Sequence, residues 1–100
     1  MTVYDVVTAA HELIVLLQRL DPFEATATAA DVALHPDAYV RHALAAALVV
    51  PFPLVGDDFV IDLLTNDADY GVASAARRAA IARGVTVLQR ESRRLSSQHL

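Results

Sequence analysis

The stretch VALHPDAYVRHALAAA, residues 32–47, decides the fold, because it returns 32 positions later as LTNDADYGVASAARRA, residues 64–79. Each copy has an apolar helix end, a polar turn and then an aspartate, Asp37 or Asp69. A valine follows three residues on (Val40, Val72), and alanines follow at six and ten (Ala43 and Ala47; Ala75 and Ala79). An aspartate just before a helix accepts from the unpaired amides of its first turn. The valine and the alanines then share one helical face, where small side chains allow close packing. A segment repeating at such an interval builds one supersecondary unit per copy, and the units must stack to bury their apolar faces. One further step back reaches Asp5, but Thr8, His11 and Val15 stand there in place of the valine and alanines, so a third copy is degenerate.

Working outward, the apolar residues 3, 6, 7, 10, 13, 14, 17 and 20 fall at helical spacing and predict a first helix over residues 3–20. Asp21 and Pro22 supply a cap and a first-turn proline for a second helix to about Leu34. The third helix, from about Asp37 to Val50, is wholly apolar after His42, as a helix surrounded by others would be. Pro51 and Pro53 end it. A fourth helix is expected from about Gly56 or Asp57 to Thr65, with Phe59, Val60, Leu63 and Leu64 inward. A fifth runs from Tyr70 to Arg83 and is closed by Gly84. A sixth segment, Val85 to Leu95, has a thin stripe of Val85, Leu88 and Leu95, and residues 96–100 form a fraying tail. The fold class is all-α, with five to six helices in a single domain over residues 1–95.

Composition narrows the chemistry. Nineteen of the 55 apolar residues are alanine; alanine favours helix but buries little area per residue, so the core must come from many close helix contacts. The absence of cysteine excludes disulfides and thiol catalysis. No basic segment precedes an apolar run at the start, and the longest uncharged stretch, Ala43 to Gly56, is shorter than the roughly 18–20 residues of a membrane helix. A cytoplasmic location without membrane association is the expectation. All eight basic residues are arginine, a usage that predicts a GC-rich bacterial or phage genome. Charge is divided: residues 1–70 carry 11 acids and 2 arginines, whereas residues 71–100 carry 6 arginines and 1 acid.

Asp37, Val40, Arg41 and Ala43, followed by Leu44, Ala47 and Leu48, resemble the second-helix motif of HEAT-like (armadillo/HEAT-type) helical repeats. The resemblance covers residues 22–83. It implies a short α-solenoid, a right-handed superhelix of antiparallel helix pairs, whose second helices (the first, third and fifth here) line a surface that docks a protein partner. The second copy has Ala73 in place of the arginine, which would interrupt an Asp–Arg ladder between neighbouring units.

Catalytic readings fail individually. His11-Glu12 lacks the second histidine of a zinc-peptidase helix, since position 15 is Val. Two turn or surface histidines account for His35 and His42 better than a metal site with Asp31 and Asp37. Helix caps and a solvated acidic face account for Asp57, Asp58, Asp62, Asp67 and Asp69, which lack the pattern of a calcium loop. No phosphate-binding loop or nucleophile elbow is present, and no catalytic residue, metal or cofactor is expected.

The candidate partner-binding residues are Arg77, Arg78 and Arg83 on the fifth helix and Arg90, Arg93 and Arg94 on the sixth segment. Spacing of three and four places the last three in one patch. Such a patch can meet a protein partner's acids, a second copy in a homodimer, or, as the less favoured reading, nucleic-acid phosphates. The first helix's wide apolar stripe is expected mostly in the core, with any exposed remainder serving oligomerisation or a partner.

Overall fold

In the computed structural model, residues 5–85 are described, and they contain five α-helices and no strand: α1 Val6–Arg19, α2 Pro22–Ala33, α3 Ala38–Ala47, α4 Asp57–Thr65 and α5 Tyr70–Arg83. The all-helical expectation holds. The start of the first helix before Asp5, the sixth segment beyond Val85 and the tail lie outside the described residues.

Aspartate starts four of the five helices. Thr8 N–H donates to Asp5 at 2.8 Å, Phe23 and Glu24 N–H to Asp21 at 2.9 Å each, Tyr39 N–H to Asp37 at 2.9 Å and Val72 N–H to Asp69 at 3.1 Å. Those hydrogen bonds from Thr8 hold the Asp5 carboxyl below its ordinary range. Only α4 lacks a side-chain cap; its Asp57 and Asp58 instead sit in the first turn, at the positive end of the helix dipole. Gly84 ends α5 in the left-handed conformation, φ 68°, which a side chain would oppose.

Helices α1, α3 and α5 stand side by side in that order, while α2 and α4 pack on each other and across the row. Among the described residues α1 and α5 share no contact. The central α3 touches all four other helices, which explains its unbroken apolar sequence. Among the described residues, twelve of the twenty buried apolar residues are alanines, interleaved with Leu17, Leu44, Leu48, Val60, Ile61, Leu64 and Val72. With such short side chains at the contacts, helix axes draw together and packing replaces bulk. Gly71 serves the same end: a Cβ there would lie 3.1 Å from Asp69 Oδ1 and 3.5 Å from the His42 ring.

Two expected inward residues are turned out. Phe59 is 57% exposed, whereas Ile61 is 1% exposed; α4 presents the Val60–Ile61–Leu64 face to its neighbours, and Phe59 falls on the far side. Val7 of α1 is also exposed, because α1 ends the row and that face has no neighbour among the described residues.

Polar ties cross between the repeated units. Arg41 Nε donates to Asp67 Oδ2 at 2.6 Å and Nη2 to Oδ1 at 3.1 Å, a bidentate pair linking α3 to the turn before α5. Its Nη1 donates to the carbonyls of His35 and Pro36 at 2.7 and 3.1 Å. A rung therefore joins the units despite Ala73, and it uses the turn acid Asp67 rather than the capping Asp69. Burial pushes the Asp67 carboxyl up, but the bonds from Arg41 and from Asp69 N–H outweigh it and leave the group below its ordinary value. On the other layer, Thr26 Oγ1 accepts from the N–H groups of Val55 and Gly56 at 2.9 and 3.3 Å and donates to Pro22 O at 2.8 Å.

Two substitutions test this account. Ala45→Leu forces a larger side chain into the fully buried α3 contact and should cost about 2–3 kcal/mol in urea unfolding, while Ala27→Leu on exposed α2 surface should change little. Asp67 binds its proton less readily folded than unfolded. Its contribution is therefore complete above the ordinary carboxylate range and is lost as pH falls through the folded value. Asp67→Asn should be about 1–2 kcal/mol less stable near neutral pH and show a shallower loss on acidification below about pH 4.

Candidate protein-docking surfaces

Helix α5 divides into two faces. Val72, Ala73, Ala75, Ala76, Ala79 and Ala80 are buried. On the opposite side, Tyr70, Ser74, Arg77, Arg78 and Ile81 fall within roughly 100° of arc at the helical step of about 100° per residue. Tyr70 is 80% and Ile81 82% exposed, and both arginines are exposed. Arg78 Nη1 lies 3.5 Å from Ser74 Oγ, a weak intrahelical contact. Arg77 pairs with no acid among the described residues. Tyrosine and arginine beside an exposed aliphatic side chain are the residue types enriched in protein interfaces, where the ring and guanidinium supply area and directed donors together.

Arg83 departs from the expectation that it would share this surface. Its side chain is 5% exposed and points into the protein. Nε donates to Leu48 O at 2.6 Å, satisfying a carbonyl left open where α3 ends, and Nη2 donates at 2.7 Å to Val50 O, which also accepts from Phe52 N–H at 2.9 Å. The guanidinium stands 4.6 Å from the Phe52 ring centroid, and its Nη1 is 3.6 Å from Asp57 Oδ2. Burial lowers the tendency of this group to hold its proton, with Asp57 acting in the other direction. A partner would have to dismantle these contacts to reach it. Arg90, Arg93 and Arg94 lie outside the described residues. Of the arginine group, the structure therefore brings together Arg77 and Arg78, and it adds Tyr70 and Ile81. Their i, i+7, i+8, i+11 spacing opposite the alanine face is the signal in the sequence.

A second surface lies between α1 and α3. Ala9, Glu12, Leu13 and Leu16 of α1 face Tyr39, Val40 and Ala43 of α3 across a groove of about 400 Å³. Leu16 is 46% exposed. The lining is apolar apart from Glu12 and the Tyr39 hydroxyl. Burial, with the nearby carboxylates Asp5 and Asp37, raises the Tyr39 hydroxyl above its usual value.

The histidines considered for metal serve other purposes. His35 Nδ1 accepts from Asp37 N–H at 3.0 Å inside the turn, and His42 packs against Gly71. Among the described residues, no three His, Cys, Asp or Glu side chains converge as metal ligands, and no helix is long and apolar enough to cross a membrane.

No family model, no curated protein and no solved structure matches this chain.

The contrast between the two kinds of arginine is measurable. Arg83→Ala should lose about 2–4 kcal/mol, because it takes the donor from the Leu48 carbonyl, one of two donors from Val50 O and the cation from Asp57, whereas Arg77→Ala should stay within about 0.5 kcal/mol of the parent in thermal unfolding.

Proposed function

We propose that this chain is a non-catalytic protein-interaction module of HEAT-like type: a short, right-handed α-solenoid of antiparallel helix pairs that uses α5 to dock a protein partner. The row α1–α3–α5 and the 32-residue spacing of Asp5, Asp37 and Asp69 support the repeat reading. The observation that carries the function is the exposed stripe of Tyr70, Arg77, Arg78 and Ile81 on a helix whose other face is wholly committed to the core. The arginines suit a partner presenting carboxylates, and the flanking tyrosine and isoleucine give that partner apolar area to cover. A cytoplasmic adaptor, inhibitor or immunity-type protein of a GC-rich bacterium or phage fits such a surface. Arg77 and Arg78 also favour a second reading, a nucleic-acid-associated regulator, since exposed guanidinium groups bind phosphates equally well.

Affinity capture from the source organism separates the readings. The parent chain should retain a stoichiometric protein that is lost with Arg77→Glu/Arg78→Glu. A parallel Arg90→Glu/Arg93→Glu/Arg94→Glu variant reports on the remaining arginines. Retention by the α5 variant would move the interface off that helix. Binding of generic duplex DNA that strengthens steeply as salt falls would favour the nucleic-acid reading instead.

A further inference from the structure

The exposed face of α5 is ordered along its length as well as by composition. Tyr70 and Ile81 stand eleven residues apart, a rise of about 16 Å, and at about 100° per residue they lie within about 20° of each other around the axis. Arg77 and Arg78 fall between them, four and three residues from Ile81. The stripe therefore runs straight along the helix as an apolar end, a cationic segment and a second apolar end. The helix beneath it is fixed at its ends by the Asp69 cap and by Gly84, and along its other face by six buried residues. Side chains on a backbone so held keep a constant spacing, and docking does not have to order that backbone first.

Spacing selects the shape of the occupant. A second helix laid along the stripe has the same rise, so two of its residues eleven apart meet Tyr70 and Ile81 in either chain direction. An extended segment rises about 3.3 Å per residue and covers the distance in about five residues. Side chains five apart on a strand point to opposite sides, so a strand would cover one end of the stripe and leave the other bare. The face fits a helix.

Charge selects the sequence of that helix. Among the described residues no acid pairs with Arg77 or Arg78, and the contact of Arg78 with Ser74 is 3.5 Å long. Their guanidinium donors are open to carboxylates, which they bind in charge-assisted pairs. A second copy of this chain on the same face would bring four guanidinium groups together with no acid between them, so self-pairing there is opposed. The formal net charge of the chain is −4, and Asp67 and Asp69 stand just before α5. That background repels an extended polyanion but tolerates two carboxylates set between apolar side chains.

We propose that the occupant of the α5 face is an acidic helix of a protein partner. It carries apolar side chains at two positions eleven apart, over Tyr70 and Ile81, and carboxylates three and four residues in from the one that meets Ile81. The inference rests on the reading of α5 as a protein-docking helix and names the partner's shape, charge and spacing.

The test uses the full chain and a labelled alanine-based helix peptide with leucines eleven residues apart and glutamates three and four residues in from one of them. Fluorescence anisotropy and amide chemical-shift mapping follow the binding. Saturable binding with shifts centred on Tyr70, Ser74, Arg77, Arg78 and Ile81 is expected. Arg77→Glu/Arg78→Glu, confirmed as folded by circular dichroism, should weaken it at least about tenfold and should in turn bind a peptide with lysines in place of the glutamates. Moving the glutamates to the opposite face of the peptide, with its composition unchanged, should also cost at least about tenfold. Equal affinity for the two arrangements would reduce the attraction to net charge and overturn the proposal. So would shifts elsewhere, no saturation up to about millimolar peptide, or displacement of the peptide from these residues by generic duplex DNA. Failure of the peptide, with capture still dependent on Arg77 and Arg78, would remove the helical occupant alone. Capture indifferent to both arginines would remove docking through α5 itself.

Discussion

Close approach of alanine-faced helices to α3 is the constraint on which the structure depends. Ala43, Ala45 and Ala47 of α3, with Ala73, Ala75, Ala76, Ala79 and Ala80 of α5, are buried with almost no residual exposure. Each contributes little apolar area by itself. What they contribute is proximity: backbones draw near enough for Leu44, Leu48, Ile61, Leu64 and Val72 to fill the remaining space. The cross-ties follow from the same closeness. Arg41 spans from α3 to Asp67, and Arg83 spans from α5 to the carbonyls ending α3, and neither reach would be met if bulkier side chains held the helices apart.

The ends of the helices were the most legible part of the sequence. Asp21-Pro22, Asp37, Asp69 and Gly84 act within a few residues of themselves, so their meaning does not depend on the rest of the fold. The rotation of a helix about its axis is another matter. In α4, Phe59 and Ile61 are both apolar and both compatible with a helical row, and only the placement of α2 and α5 around the helix decides that Ile61 enters the core. Val7 shows the same limit at the edge of the row: periodicity marks an apolar residue but does not supply a neighbour to cover it.

The two candidate surfaces were legible to an unequal degree. Arg77, Arg78 and Arg83 look alike as residues, and one of them is a structural strut because Phe52, Asp57 and the carbonyls of Leu48 and Val50 meet it from a distant part of the sequence. No local pattern encodes that meeting. The exposed remainder of the first helix, expected as a partner surface, is found in Leu16, but its role as one wall of a groove depends on how α3 lies beside it. By its sequence Asp67 belongs to a solvated acidic face, and its pairing with Arg41 likewise depends on how the turn before α5 lies against α3.

Among the described residues α1 and α5 share no contact, so no seam between these two outer helices closes the row. A barrel or a ring fixes its number of members by returning to its start; a row does not. On the proposed repeat reading, its length is free to change by whole 32-residue steps, since a duplicated unit would present the same Asp-capped, alanine-faced helix to the one before it. Growth by copying, with exposed helix faces spaced at a constant interval along the lengthened row, is the evolutionary path that this reading leaves open.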